Sequence, residues 1–330
     1  MIDHKKKWLI TGVAGFIGTN LLIKLLKENQ SVVGVDNFYS GSSKNLKQVK
    51  KIVGKDLWSN FSFIEGDICD YGLCKNATKD IDYVLHHAAM GSVPKSMEYP
   101  LLNNKINVEG FLNILNASKE NKVKRIIYAS SSAVYGDDTN LPKTEKSNIK
   151  PLSPYALSKV INENYSNLFS KIYRMDIVGL RYFNVYGSFQ NVNGDYAAVI
   201  PKWIESFIRN EKVFINGDGK NTRDFCHVSD VVNSNILIAL SEEEVMGKVF
   251  NIGSGIKISL KELYTVIKES MTDLGFKITQ DKPLHKDFRK GDIIDSYASI
   301  EQIKKVISYK SRVTFKEGLK ETISWFANKN

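Results

Sequence analysis

The stretch Tyr155-Ala156-Leu157-Ser158-Lys159 sets a phenol and an amine four residues apart, just after Pro151 and Pro154. On a helix these two side chains share a face. An ammonium beside a phenol favours the phenolate and draws its pKa toward neutrality. Such a group can take a proton from a sugar or alcohol hydroxyl and give it back. Y-x-x-x-K is frequent by chance, and alone it is equally satisfied by a core tyrosine and a solvated lysine. The run Ala129-Ser130-Ser131-Ser132-Ala133-Val134-Tyr135-Gly136 adds weight. It places hydroxyls at the carboxyl end of an apolar strand, where doubly wound sheets hold their ligands. A third cluster lies at the N-terminus, where Gly12, Gly15 and Gly18 are spaced G-x-x-G-x-x-G after Trp8-Leu9-Ile10-Thr11. A helical run, Thr19 to Glu28, and an apolar run from Ser31 ending at Asp36 follow. A dinucleotide asks for these parts together: glycines that admit a pyrophosphate, a helix N-terminus aimed at it, and an acid for the adenosine ribose.

These groups need elements to hold them. Apolar runs at Phe61–Ile64, Tyr83–Leu85, Arg125–Tyr128 and Ile177–Leu180 alternate with helical segments near Tyr71–Thr78, Asn103–Asn121 and Tyr155–Tyr173. Alternation of this kind predicts an α/β, Rossmann-type, doubly wound parallel sheet. The unbroken apolar character of the strands agrees, because both faces are covered. From about Tyr186 the rhythm changes, with helices expected near Ile200–Asn210 and Ser259–Thr272 and a strand at Val249–Ile252. The reading is an NAD-binding domain over 1–185, with returns near 225–255 and 288–298. A smaller mixed α/β C-terminal substrate domain spans mainly 186–330.

Composition narrows the class. Of 330 residues, 42% are hydrophobic and 25% charged, ordinary for a globular chain. No apolar run reaches the roughly 20 residues of a membrane helix, and Met1 to Lys7 does not resemble a secretory signal. Cys69, Cys74 and Cys226 form no metal pattern and cannot all pair, which fits a reducing cytoplasm. The net charge of +10 is spread over amphipathic stretches such as Lys44–Lys55 rather than one basic tract with aromatics, so nucleic acid is not expected as a partner.

Together the glycine loop, the serine cluster and Tyr155-x-x-x-Lys159 resemble the extended short-chain dehydrogenase/reductases. Gly66-Asp67-Ile68, His86-His87-Ala88-Ala89, Ser153-Pro154-Tyr155, Leu180 to Gly187, Arg223 to Asp230 and Arg289-x-Gly291-Asp292 narrow the likeness to nucleotide-sugar epimerases and dehydratases, bacterial UDP-N-acetylhexosamine 4-epimerases of surface-polysaccharide pathways above all. The resemblance implies a tightly held, recycled NAD and a UDP-sugar substrate oxidised and re-reduced at C4 through a 4-keto sugar. It assigns Tyr155 as base, Lys159 as its tuner and ribose ligand, and Ser131 as the catalytic hydroxyl, with Ser132 the alternative. Asp36, with no arginine close behind it, favours NAD over NADP. The implied cofactor contacts are Gly12, Gly15, Phe16, Ile17, Gly18, Asp36, Asn37, Ser40, Gly41, Asp67, Ile68, His87, Ala88, Ala89, Asn107, Ser130, Tyr182 and Val185. Besides Ser131, Ser132 and Tyr155, the sugar-nucleotide side comprises Ser92, Val93, Asn184, Ala198, Val199, Asn216, Arg223, Arg289, Asp292 and Ser296. The two arginines are read as a bidentate pyrophosphate clamp.

Relatives that dehydrate carry an Asp-Glu pair directly after the catalytic hydroxyl, and decarboxylases an acid at the second of those places. Here Ser132 and Ala133 stand there, which leaves 4-epimerisation. Epimerases restricted to unacetylated sugars carry a bulky aromatic where this chain has Ser296, so a 2-N-acetyl group is expected to fit. UDP-glucose or UDP-glucuronate epimerisation, and a dehydratase or reductase of the same superfamily, are the alternatives. The helices near 103–121 and 155–173 match a pair that dimerises in relatives. The apolar face Ile106, Phe111, Ile114, Leu115 suits that or packing on the sheet.

Overall fold

The computed structural model describes residues 2, 4–192, 198–287, 295–307, 309–311 and 313–328. The N-terminal half runs β1 (Lys7–Thr11), α1 (Phe16–Lys27), β2 (Ser31–Asp36), α2 (Ser43–Trp58), β3 (Phe61–Glu65), α3 (Tyr71–Ala77), β4 (Tyr83–His86), α4 (Val93–Glu98), α5 (Pro100–Asn104), a π-helical segment Lys105–Glu109, α6 (Gly110–Glu120), β5 (Arg125–Ser131), α7 (Pro154–Tyr173) and β6 (Ile177–Tyr182). Beyond it come β7 (Val185–Tyr186), α8 (Val199–Ile208), β8 (Phe214–Asn216), β9 (Thr222–Arg223), β10 (Cys226–His227), α9 (Val228–Leu240), β11 (Val249–Ile252), β12 (Ile258–Ser259), α10 (Leu260–Asp273), β13 (Leu284–Lys286), β14 (Asp295–Ser296), α11 (Glu301–Ile307) and α12 (Phe315–Ala327).

Seven strands form one parallel sheet in the order β11-β6-β5-β4-β1-β2-β3. The order reverses between β1 and β4, and the crevice at that reversal is where an open α/β sheet binds ligands. Register brings the carboxyl ends to one rim: Thr11 lies beside Val35 and His86, and Ser131 beside Tyr182. Central strands are buried on both faces, and all six residues of β6 are. The edge strand β3 has no fully buried residue. The expected strand Val249–Ile252 does return to this sheet, beside β6.

A second core is built from residues beyond β6. Trp203, Ile204 and Phe207 of α8 pack with Leu263, Ile267 and Met271 of α10 and with Leu319, Ile323 and Phe326 of α12. Capping boxes open both α10 (Ser259 with Glu262) and α12 (Thr314 with Glu317). Short strands β9, β12 and β14 form a three-stranded sheet beside this core.

Three expectations need correction, and one open choice is resolved. Helix α1 starts at Phe16, three residues before Thr19, because Gly15 already takes the N-cap position. The segment 103–121 is not one regular helix, since it begins at Pro100 and passes through a π-helical stretch. Phe111, Ile114 and Leu115 do not face outward; they are buried against Tyr128 and Ile177, so that apolar face belongs to the sheet. Asp295–Ser296 does not return to the central sheet but pairs with β9; residues 288–294 lie outside the described residues. Among the described residues no helix is long and apolar enough to cross a membrane.

Candidate active site

Ser153 opens α7 by accepting from the Ala156 amide at 3.1 Å, and Pro154 fits the first turn. Tyr155 follows, its amide donating to Ser96 Oγ of α4 at 3.1 Å. Its half-buried phenol lines the same cavity as Ser131, the last residue of β5. Lys159, one turn on, is buried and donates to the Ala129 carbonyl at 2.8 Å. Burial draws the Lys159 pKa down to about 8, opposed by the charge of Glu163.

Here the geometry corrects one expectation. Burial pushes the Tyr155 phenol up, and the nearby Ser131 hydroxyl only partly offsets this. Lys159 does not dominate, because its ammonium is engaged by Ala129 and lies 5.8 Å from the phenol ring centroid. The three serines also separate. Ser131 meets Tyr155, and its Oγ accepts from the Ala133 amide at 3.1 Å. Ser132 lines the cavity. Ser130 lines it too, but its hydroxyl donates to Glu163 at 2.5 Å rather than standing free for a cofactor.

The glycine loop has the shape a dinucleotide requires. Gly12 has φ +71°, and a Cβ there would lie 2.7 Å from the Ala88 amide nitrogen. A Cβ on Gly18 would lie 2.1 Å from the Gly12 carbonyl oxygen, so helix and loop can close together only without one. Gly15 caps α1 with no side-chain hydrogen bond and no acid in the first turn, leaving its N-terminal amides available to an anion. Asp36 ends β2 and accepts from the Ala14 amide at 2.9 Å and the Phe38 amide at 2.8 Å. Burial raises its pKa, with those two bonds opposing. The site of a Gly41 Cβ is 2.9 Å from the Asp36 carboxylate.

Beyond Asp36 a groove is lined by Asn37, Ser40, Asp67, Ile68, Ala88 and Ala89, all expected, and by Tyr39 and Ile106. Asn37 donates to Asp67 at 3.0 Å. His87 Nε2 lies 3.0 Å from the Tyr182 hydroxyl, which also accepts from Asn235 at 2.8 Å. Burial lowers the His87 pKa to about 4. Asn107 departs from expectation. Its Oδ1 accepts from the Met90 amide at 2.8 Å and its Nδ2 donates to the Met90 carbonyl and Ser158. It braces the loop after β4 against α7 and lines neither groove nor cavity.

One cavity of about 530 Å³ joins these parts. It runs from Gly12, Gly15, Phe16, Ile17 and Gly18 past Ser131, Tyr155 and Lys159 to Asn184, Val185, Arg223 and Ser296. Val93 lines it, whereas Ser92 caps α4 by accepting from the Lys95 amide at 3.3 Å. Ser296 is the register partner of Arg223. Asn184 and Arg223 also line a second cavity of about 250 Å³ with Val199 and Asn216. Ala198 precedes it as the N-cap of α8. Arg289 and Asp292 lie outside the described residues.

That second cavity holds side chains the sequence reading missed: Lys202, Trp203, Lys212, Phe214 and Lys286. Strand alternation from Asn216 points to Phe214 on the same face of β8. Lys286, the register partner of Asn216, sits 4.1 Å over the Phe214 ring, a pairing no local signal announces.

Comparison with known proteins agrees with this geometry. Residues 8–253 match the family described as NAD dependent epimerase/dehydratase. A UDP-N-acetylglucosamine 4-epimerase from Methanobrevibacter ruminantium, solved with UDP-N-acetylmuramic acid, superposes with a TM-score of 0.90 at 36% identity, covering 99% of both chains. The UDP-glucose 4-epimerase of Thermotoga maritima, solved with UDP-glucose, gives 0.88 at 33% identity, covering 98% of this chain and 99% of that one. A UDP-N-acetyl-α-D-glucosaminuronate decarboxylase of Bacillus cytotoxicus is 34% identical over 329 residues, 98% of each chain. Since the family model matches most of the chain and these relatives span it, the protein belongs to the NAD-dependent epimerase/dehydratase family of extended short-chain dehydrogenase/reductases, with NAD as its cofactor.

Proposed function

We propose that this protein interconverts the C4 epimers of a UDP-hexose, with UDP-GlcNAc and UDP-GalNAc as the preferred pair. The observation that carries the reading is the meeting of Tyr155, Ser131 and Lys159 in the one cavity that joins the glycine loop to Arg223 and Ser296. Bound NAD supplies a hydride acceptor that can return what it takes. The chain's own residues do the rest. Tyr155 takes the proton of the 4-hydroxyl and later restores it. Ser131 passes that proton and holds the oxygen. Lys159, while protonated, stabilises the phenolate as it forms. Arg223 binds the pyrophosphate, and the Asn216–Phe214 cavity takes the nucleoside end.

The choice among family reactions rests on Ser132 and Ala133. Both are at the cavity wall, and neither can act as the acid or base that dehydration or decarboxylation demands. The choice of sugar rests on Ser296, whose small side chain lines the cavity beside Arg223. Incubation with UDP-GlcNAc, UDP-glucose and their uronates, followed by NMR of the sugar anomeric signals, tests both choices. Net epimer formation without added NADH is expected, fastest for the N-acetyl pair; dehydrated or decarboxylated product would replace this reading. We further propose a cytoplasmic homodimer formed through α7, where Leu157, Leu168 and Ile172 remain exposed. Light scattering after size exclusion reads the mass directly.

A further inference from the structure

Tyr155, Lys159 and Glu163 recur every fourth residue along α7, opposite one tripeptide at the end of β5. Lys159 donates to the Ala129 carbonyl, Glu163 accepts from Ser130, and Tyr155 lines the cavity with Ser131. Nothing in the proposed reaction uses Glu163. Yet its side chain is largely shielded and fully engaged: Arg181 Nε donates to Oε1 at 2.9 Å and Nη2 to Oε2 at 2.7 Å. The fork of Arg181 continues to the Tyr135 hydroxyl at 2.8 Å, which donates to Asn251 at 2.6 Å. A polar chain thus ties α7 to β5, β6 and β11 directly beneath the reacting groups.

We infer that Glu163, locked by Arg181, is a positioning residue: through Ser130 it sets where Ser131 stands against Tyr155, and it is the anionic neighbour of Lys159 one turn along α7. The geometric part follows from adjacency. Ser130 and Ser131 are consecutive residues of an extended strand, so their side chains point to opposite faces. Anchoring one on Glu163 aims the other at the phenol. The electrostatic part follows from the surroundings of Lys159. Facing it are Tyr155 and Glu163 from its own helix, His86 and His87 from the end of β4, and Ala129 from β5; Arg181 of β6 is paired bidentately with Glu163. Both histidines are held neutral by burial. Glu163 is the negative charge that opposes the cost of burying the ammonium.

The inference rests on Tyr155 and Ser131 being the reacting pair, so the test carries Tyr155→Phe alongside. The full-length protein is assayed for 4-epimerisation from pH 6 to 10, with bound NAD measured spectroscopically. Glu163→Gln should lower kcat by about 10²-fold, the scale of an ångström-level misplacement, with KM and bound NAD unchanged. Its alkaline limb should move to lower pH, because activity is lost as pH rises through the Lys159 pKa and that pKa falls without the neighbouring carboxylate. Glu163→Asp keeps the charge, so its alkaline limb should stay in place even where kcat drops. If Glu163→Gln does not fold, the double variant Glu163→Leu with Arg181→Leu removes the buried pair without stranding either charge and should still show the kcat loss. Wild-type kcat and pH profile in Glu163→Gln, or wild-type kcat in the double variant, overturns the inference while Tyr155→Phe is inactive. Full activity in Tyr155→Phe overturns the reading beneath it.

Discussion

The two sides of the cavity are built differently. On the cofactor side, Ser131, Tyr155 and Lys159 sit on a seven-residue strand and a 20-residue helix, cross-tied by largely shielded hydrogen bonds. Across from them, Arg223 and Ser296 sit on two-residue strands that pair with each other. Asp224 secures that side instead, accepting from Ser254, Gly255 and Ala298. The contrast teaches a division of labour. Proton transfer needs atoms fixed to a fraction of an ångström, so it is placed on long, deeply packed elements. Substrate choice sits on short strands and loops, where one side chain can be exchanged without disturbing the reaction.

If that division is real, changes on the rigid side should abolish the reaction and changes on the other side should redirect it. Tyr155→Phe should cut kcat by about 10³-fold, within the range for a lost acid–base group, with the folded state and NAD content intact. Gly18→Ala should be nearly as damaging for another reason. Its Cβ would lie 2.1 Å from the Gly12 carbonyl oxygen, so the purified protein should carry little NAD and melt at lower temperature. Ser131→Ala should reduce kcat by about 10²-fold, the scale of one lost transition-state hydrogen bond, while Ser132→Ala should have a much smaller effect. Ser296→Tyr should sharpen the comparison most cleanly, suppressing turnover of the N-acetyl pair by a larger factor than turnover of UDP-glucose. Equal loss on both substrates would mean that the wall is not what discriminates.

Titration gives a smaller test of the same contrast. The Lys159 pKa is drawn down to about 8 by burial. The charged form is the one that supports the phenolate, so kcat should decline as pH rises through that value. Glu163→Gln also leaves Arg181 buried without its charge partner, a loss of about 3 kcal/mol. Chemical denaturation should register it as a lower midpoint.

What could be read in the sequence follows the same boundary. The strands of the cofactor half, the α7 segment and the glycine loop were legible because their signals are local: apolar runs, Gly spacing, Pro154 at a helix start. Helix α9 was not anticipated. Nine of its 13 residues are buried, between α1 and the sheet, so it lacks the one-sided apolar stripe that marks a surface helix. The side-chain partners of Ser130 and Asn107 were not legible because Glu163 and Ser158 lie 33 and 51 residues away. Spacing shows which residues recur; it does not show which hydroxyl is already occupied. The same reasoning explains why the Tyr155 pKa was misread. The neighbouring lysine is visible in the chain, whereas the burial that outweighs it exists only in the fold.

The central claim is that Tyr155 moves the hydroxyl proton while the hydrogen on C4 never reaches solvent. Epimerisation of UDP-GlcNAc in D2O, followed by proton NMR of the UDP-GalNAc formed, tests it most directly. The account predicts full retention of hydrogen at C4 in the wild-type product and formation of product by Tyr155→Phe about 10³-fold more slowly. Deuterium at C4, or product from the phenylalanine variant at the wild-type rate, would contradict it.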